Sequence, residues 1–423
     1  ARGQGPGGGQ TWVSGGGGGN GGNGGQGNPG HGYNYGGSSY GSPYAPAAPG
    51  SGGGGGGTGG DGGGAIRIVA YQRAAVNGTI RANGTPGVAG NSGGGSGGSI
   101  NITCGSLAGT GAMQAEGGNY SGEGGCGGGG RIAVAYNPAA QAAESPQPSV
   151  RFSTTSRMNA YGVRSQAGTV YIPDSVFFPT TLNDILRNTN RVYGVNAWSP
   201  DTLVISNGAV AFEEPGFALH VTNGIVLTGL AGGLSFTNAV VSCGGSLVLG
   251  NGSSFAMSRG TNSTESLTVS GAVLLDSGSL SYHYALTNPL SLTIGGNLGM
   301  TNGARLFLYS GAWSGAATNV GAFFDFQGKD IVLPTNCAIY TASHPTNGGS
   351  VRFLVRNLTV GPGAKISADG GGFSGGLVTH PNGFGPGGGL RGANSGGGGG
   401  YGGAGGKGGH SDSYAGGTYG SEV

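Results

Sequence analysis

The sequence predicts an all-β protein in which a β-solenoid domain is joined to an ordered, polyglycine II-like bundle, with almost no α-helix. Three observations support this class. Glycine supplies 106 of the 423 residues, short strings of alternating apolar residues recur between turn signals, and helical periodicity is almost absent. Residues 181–187 are the only segment with the pattern of a helical turn.

The chain begins with a glycine-rich segment, residues 1–64, which residues 366–423 are predicted to repeat. Flexible linkers are the alternative for such tracts. We expect order instead, because backbone hydrogen bonds to neighbouring segments hold a chain that has no side chains to bury. Only glycine permits the close approach that this packing needs. The tracts therefore predict bundled extended helices, with Asn, Ser, Tyr and Pro at outer positions or corners.

Residues 65–140 alternate short strand-like strings with glycine tracts, and residues 141–365 form the predicted β-solenoid domain. Strings such as LVISNG and LVLGNG end in Asn-Gly, which supplies the positive φ of a tight corner. The regular step favours coils that stack their apolar faces. A β-sandwich is the alternative, because spacing alone does not exclude it. The turn asparagines lie 13 to 16 residues apart, at Asn207, Asn223, Asn238 and Asn251.

Internal repeats organise the whole chain. GGGAIRIVAY at 62–71 returns as GGGGRIAVAY at 127–136, and a five-residue phrase recurs at 80–84, 113–117 and 366–370. The two ends also match with a period of about 380 residues: GPGGG at 5–9 and 385–389, SGGGGG at 14–19 and 395–400, and YGGSSYGS at 35–42 against YAGGTYGS at 414–421. We interpret the chain as one repeat plus an overlap. Tyrosines interleaved with glycine are a candidate joint between subunits, with isolated rings that plug bends as the alternative: Tyr33, Tyr35, Tyr40, Tyr414 and Tyr419.

The order of these phrases resembles a glycine-rich module of giant secreted bacterial surface proteins from the planctomycete–verrucomicrobia–lentisphaera group. The strings GTIRANG, AGTVYIPD and VRNLTVGPGAKISADGGG carry the resemblance together with the repeats above. It implies tandem modules, a secreted or cell-surface location and no catalytic residues. The tracts are also similar in kind to the polyglycine II bundles of phage tail-tip adhesins and of a springtail antifreeze protein, in backbone packing alone.

Charge and hydropathy exclude several classes of function. The 18 Lys and Arg are offset by 16 Asp and Glu, giving a net charge of +2, so a basic nucleic-acid binder is excluded. No apolar run is long enough for a membrane helix. Charged residues make up 8% of the chain, and such weak self-repulsion favours association with copies of itself. The chain starts at Ala1 without an initiator Met or signal peptide, which we interpret as a processed protein or a piece of a longer one.

Cysteines and sequons provide candidate modification sites. An even number of cysteines, split into an N-terminal and a C-terminal pair, predicts two disulfides, with four buried free thiols as the alternative: Cys104, Cys126, Cys243 and Cys337. Seven Asn-x-Ser/Thr sequons are possible glycosylation sites, and they suggest a glycoprotein: Asn77, Asn83, Asn101, Asn119, Asn251, Asn262 and Asn357.

Catalytic and metal-binding patterns are sparse. The adjacent pair Glu213 and Glu214 points to opposite faces of a strand, and the six histidines are scattered. No cofactor is expected. Oxygen ligands for calcium are available beside glycine turns, although turn-forming surface carboxylates are the alternative: Asp61, Glu116, Glu123 and Asp369.

The leading functional hypothesis is a non-enzymatic structural subunit of an extracellular filament or surface layer. Copies would assemble head to tail through their glycine-rich ends, since a heterologous contact that does not close makes a filament. The alternatives are a surface adhesin or glycan-binding stalk, an enzyme built on a β-solenoid, and an ice-binding protein with a flat, regular face.

Overall fold

The structure is a computed structural model that divides into two compact units, Ala1–Phe255 and Ala256–Val423. Each unit is described by itself. The described residues are 1–32, 34–155, 157–176, 178, 180–182, 189–206, 208–230, 232–258, 265–282, 291–311, 320–376, 381–392, 395–409 and 413–419.

Strands dominate the chain. The first group comprises β1 (Ala65–Ala75), β2 (Thr79–Arg81), β3 (Ser99–Ala108), β4 (Ala112–Gln114), β5 (Arg131–Ala135), α1 (Pro138–Ala142), β6 (Arg151–Ser153), β7 (Thr169–Tyr171) and β8 (Thr189–Tyr193). The second comprises β9 (Ala197–Trp198), β10 (Thr202–Ser206), β11 (Ala209–Phe212), β12 (Ala218–Val221), β13 (Gly224–Thr228), β14 (Gly233–Thr237), β15 (Val240–Cys243), β16 (Ser246–Gly250) and β17 (Ser254–Ser258). The third comprises β18 (Ser266–Val269), β19 (Val273–Asp276), β20 (Ser279–Tyr282), β21 (Ser291–Ile294), β22 (Leu298–Thr301), β23 (Arg305–Tyr309), β24 (Val320–Leu333), β25 (Ala338–Ala342), β26 (Ser350–Val360) and β27 (Lys365–Ser367).

The first unit contains three long parallel ladders. One runs β1-β3-β5-β7-β8-β11-β14, and two others run β10-β13-β16 and β9-β12-β15. From β9 onward each strand pairs with the strand three places later. Leu203 therefore pairs with Ile225, and Ile225 pairs with Leu247, a step of 22 residues each time. A short ladder, β2-β4-β6, completes this unit.

The second unit repeats the parallel arrangement. Its ladders are β18-β21, β19-β22, β20-β23-β25-β27 and β24-β26. Parallel pairing throughout both units, with one short helix among the described residues, confirms the all-β prediction.

The core lies between the ladders, where every second residue of a strand is buried. In β10, Leu203 and Ile205 are buried and their neighbours are half-exposed, as expected when side chains alternate across a strand. Phenylalanines stack along the interior of the first unit. The Phe212 ring lies 4.3 Å from that of Phe217 and 5.8 Å from that of Phe236, so aromatic packing continues from coil to coil.

The structure refines two local predictions. Asn238 and Asn251 adopt positive φ values of 57° and 53°, whereas Asn223 donates its backbone N–H to Asp201 O at 2.7 Å, and Asn207 lies outside the described residues. The observed step is 22 residues with three strands per step, instead of 13 to 16, because not every corner carries an asparagine. The predicted domain boundaries at 64, 140 and 365 stay predictions.

The helix occurs at a different place from the predicted turn. It is α1, Pro138–Ala142, whereas residues 183–188 of the predicted turn lie outside the described part of the chain. Asn137 caps it by accepting hydrogen bonds from the N–H groups of Ala139 and Ala140. Asn before Pro at the first helical position is a recognised helix start, so the sequence did contain this signal.

Candidate functional site

The N-terminal glycine segment is packed by backbone hydrogen bonds between distant parts of the chain. Gly18 donates to Gly94 O at 2.9 Å and accepts from Gly128 N at 2.8 Å, while Gly94 donates to Gly125 O at 3.0 Å. Three separate glycine tracts therefore bond to one another. We call residues 3–40 the N-terminal copy.

Glycine is required at these contacts because neighbouring backbones leave no room for a side chain. A Cβ on Gly17 would lie 1.9 Å from Cys126 O, and one on Gly15 would lie 1.8 Å from Gly54 O. Any other residue would force the tracts apart. We call the residues that cover the N-terminal copy, 50–55, 91–98 and 125–131, the glycine layer.

Arg131 is the one long charged side chain buried at this layer among the described residues, with 6% exposure. Its Nε and Nη2 donate to Tyr40 O at 2.9 and 2.7 Å, and its Nη1 donates to Thr169 Oγ1 at 3.1 Å. Burial lowers the pKa of the guanidinium. Sequence reasoning did not single out Arg131, although a lone Arg directly after four glycines is a detectable signal.

The C-terminal glycine segment has the same internal hydrogen bonds as the N-terminal copy. We call its described residues within 383–419 the C-terminal copy. The backbone bonds that match run from N–H to O as follows: Gly3 to Gly9 and Gly383 to Gly389, Gln10 to Tyr35 and Leu390 to Tyr414, Gly16 to Gln10 and Gly397 to Leu390, Gly17 to Gly25 and Gly398 to Gly406, Gly19 to Gly7 and Gly400 to Gly387, Gly24 to Gly37 and Gly405 to Gly416, Tyr40 to Asn20 and Tyr419 to Tyr401.

The two copies differ in what covers them. Gly15 and Gly22 are buried, whereas their counterparts Gly396 and Gly403 are exposed. In the N-terminal copy three outer N–H groups donate to the glycine layer: Gly15 to Asn91 O, Gly18 to Gly94 O and Gly22 to Gly129 O, at 2.7, 2.9 and 2.8 Å. No described residue accepts a hydrogen bond from the corresponding groups of Gly396, Gly399 and Gly403. The C-terminal copy therefore presents an open glycine face.

A groove of about 510 Å³ lies on the C-terminal copy. Gly387, Gly399 and Tyr419 line it, together with Phe373. Its position matches that of the glycine layer in the N-terminal copy, where Gly7 N donates to Ser51 Oγ at 3.0 Å.

Two strand edges are also unpaired among the described strands. β1 pairs on one side with β3, and β26 pairs on one side with β24. Both strands have 11 residues and are largely exposed, with Tyr71 at 96% and Leu358 at 51%. Such edges are templates for pairing with another chain.

The tyrosines predicted as a joint occupy different environments. Tyr40 is held by Pro49 O and Ser51, whereas Tyr35 and Tyr414 are 54% and 57% exposed. Tyr419 packs edge-on against Tyr401 at 4.9 Å. Tyr33 lies outside the described residues. Tyr44, which was not among the predicted set, packs against Tyr171 and Tyr193 at 5.5 and 5.9 Å.

The four cysteines are buried free thiols in the structure, which corresponds to the alternative prediction instead of two disulfides. Each behaves as a small apolar side chain. Cys243 and Cys337 belong to different compact units. Burial raises the pKa of the Cys104, Cys126 and Cys243 thiols, which makes the reactive thiolate scarcer.

The sequon asparagines fall into two groups. Asn77, Asn119, Asn251 and Asn357 are exposed, and Asn83 and Asn101 are half-buried. Asn83 Oδ1 accepts from Glu116 N at 2.9 Å and Asn357 Nδ2 donates to Asp330 Oδ1 at 2.8 Å. Asn262 lies outside the described residues. Glycosylation at any of the seven stays a prediction.

The candidate calcium ligands do not converge. Glu116 pairs with Arg157 at 3.1 Å, and Glu123 lies 2.9 Å from His31 Nδ1. Asp61 and Asp369 are exposed elsewhere. Across the described residues no group of three or more His, Cys, Asp or Glu side chains is placed to hold a metal ion.

The adjacent acidic pair is also divided between separate partners. Glu213 pairs with Arg191 at 3.1 Å. Glu214 accepts a hydrogen bond from Gly194 N at 2.8 Å. The two carboxylates therefore have structural partners on neighbouring strands and turns.

Comparisons with known proteins give limited information. No model of a protein family matches the chain, and no solved structure gives a significant match. Among curated proteins the chain is similar to an adhesin, the BmaC autotransporter of Brucella suis biovar 1 (strain 1330), with 30% identity over 226 residues. The match covers 44% of this chain and 6% of that protein. Over the described residues no helix has the length and apolar character that a membrane crossing requires.

Proposed function

We propose that this protein is a secreted, non-enzymatic structural subunit of an extracellular filament or surface layer, in which copies join head to tail through their glycine-rich ends. The observation that supports the proposal most directly is the open face of the C-terminal copy, which repeats a segment that is fully covered at the other end of the chain. Contact between two different surfaces of the same chain is heterologous and propagates unless it closes into a ring.

The architecture suits such a role. We propose that the three ladders are the sides of a β-solenoid, because each strand pairs with the strand one coil later. The glycine tracts are proposed to form a polyglycine II-like bundle, since one residue such as Gly18 bonds to two other tracts. Both parts are held by backbone bonds that continue into a neighbour without special side chains.

Electron microscopy of the purified protein at increasing concentration tests the proposal. We expect filaments or sheets with an axial repeat set by one chain. If only discrete, unassociated particles appear at high concentration, the filament function is wrong.

A surface adhesin or glycan-binding stalk is the second candidate. The likeness to the BmaC adhesin supports it, as well as a location at the cell surface. The test is a glycan array probed with the intact protein, on which an adhesin gives reproducible, competable binding. An array without binding, together with filaments in the micrographs, leaves the structural role.

A further inference from the structure

We propose that the C-terminal copy docks on the glycine layer of a second copy of this chain, in the place of that copy's own residues 3–40. The inference rests on the proposed filament function and names the two surfaces that meet. The occupant of the open face is therefore a defined part of the same protein, residues 50–55, 91–98 and 125–131.

The N-terminal copy indicates what fits the open face, because its internal hydrogen bonds are the same and its outer face is occupied. Three exposed donors of the C-terminal copy stand at the positions of three donors that bond the glycine layer: Gly396 at that of Gly15, Gly399 at that of Gly18, and Gly403 at that of Gly22. In the docked state they would donate to Asn91 O, Gly94 O and Gly129 O of the second copy.

Arg131 of the second copy would also gain an equivalent partner. It donates to Tyr40 O in the single chain, and Tyr419 takes the position of Tyr40, as its backbone bond to Tyr401 indicates. One contact has no counterpart, because Tyr401 replaces Asn20, whose Nδ2 donates to Gly97 O at 3.0 Å.

The groove on the C-terminal copy is partly filled in the single chain. A Cβ on Gly385 would meet the Phe373 ring at 2.5 Å, and a Cβ on its counterpart Gly5 would meet Ser51 Oγ at 2.6 Å. Phe373 therefore lies where Ser51 of the docked layer would lie. Docking displaces the ring, and the substitution Phe373→Ala should favour assembly.

The exchange replaces hydrogen bonds within a chain by equivalent bonds between chains, which makes it nearly neutral, as in domain swapping. The additional gain comes from the free edges of β26 and β1. Both are parallel-sheet edges of 11 residues, and each has backbone groups that pair only on one side.

Glycine-to-alanine variants of the full chain test the docking. A Cβ on Gly396 or Gly403 meets nothing within 4 Å in the single chain, whereas one on Gly15 or Gly22 would lie 1.8 or 2.2 Å from a backbone oxygen. The double variant Gly396→Ala/Gly403→Ala should therefore keep its fold and lose assembly. The matched control is Gly78→Ala/Gly372→Ala, where a Cβ likewise meets nothing within 4 Å.

The readouts are sedimentation for assembly and circular dichroism for the fold. We expect the assembled fraction of the Gly396/Gly403 variant to fall by about tenfold or more, equivalent to a modest loss of contact free energy. The control should assemble as the parent chain does. Assembly of both variants at the parent level would overturn the docking and leave the filament function standing. Failure of the parent chain to assemble would instead refute the filament function itself.

Discussion

Arg131 is a charged side chain in a region built almost entirely from backbone. Its guanidinium holds the carbonyl of Tyr40 and the hydroxyl of Thr169, and thus connects the N-terminal copy to β5 and β7. A planar fork with several donors suits this position, because it binds two acceptors at once. At the residue scale, therefore, the glycine contacts depend on one arginine as well as on absent side chains.

Replacing Arg131 tests this connection. Arg131→Ala leaves the buried carbonyl of Tyr40 without its donor, and we expect the free energy of unfolding to fall by on the order of 2 kcal/mol. Urea unfolding followed by circular dichroism measures the change. Arg67→Ala, at an exposed side chain of β1, is the control, and an equal loss in both variants would contradict the role of Arg131.

Strands and the short helix are completed by side chains at their ends. Gln141 of α1 accepts from Leu107 N at 2.7 Å and donates to Leu107 O at 2.9 Å. It therefore replaces a neighbouring strand beside the end of β3, where two backbone groups would otherwise be buried without partners. In the second unit, Asp330 of β24 accepts from Arg356 of β26 at 2.8 and 2.9 Å. Elements at an edge are thus fixed by polar side chains as well as by the ladder.

The Asp330–Arg356 pair predicts a pH dependence. Hydrogen bonds from Arg356, and then from Asn357, lower the pKa of the Asp330 carboxyl from 3.8 to about 2. A lowered pKa means that the pair supports the β24–β26 ladder above the ordinary value of 3.8 and loses this effect as the pH falls through about 2.

NMR titration of Asp330 measures the shift. The midpoint should lie near 2 in the parent chain and return toward 3.8 in Arg356→Gln, which removes the first donor. Arg352→Gln on the same strand keeps the Arg356 pair and is the control. A midpoint that is the same in the parent chain and in Arg356→Gln would show that the ion pair does not set the pKa.

The molecule as a whole relies on backbone hydrogen bonds and burial more than on charge. Only 8% of its residues are charged and its net charge is +2. An assembly formed through glycine tracts and strand edges has few ion pairs for salt to screen, because screening weakens interactions between exposed charges.

The proposed filaments should therefore persist at high ionic strength. We expect the sedimented fraction to be unchanged between low salt and about 1 M NaCl, where the screening length is only about 3 Å. Light scattering at the same concentrations provides an independent measure. Dissolution of the filaments at high salt would indicate that charged side chains hold the contact instead.

Much of the fold class could be predicted. Alternating apolar residues and frequent turn signals indicate strands, and strands of this kind are parallel and stacked in the structure. The 22-residue step could not be predicted, because Asn238 and Asn251 mark corners while Asn223 does not adopt a positive φ but bonds to Asp201. Likewise, the pairing of cysteines depends on which strands become neighbours, and counting cysteines does not contain that information.

The sequence by itself determined the all-β class, the order of the repeats and the likeness of the two glycine-rich ends, because periodicity and repetition are local properties of a chain. Only the tertiary structure decided that one end is covered and the other open, and that Arg131 reaches Tyr40 across 91 residues. These features depend on which distant tracts come within hydrogen-bonding distance. Since glycine has no side chain to specify a partner, its neighbours are set by the rest of the fold.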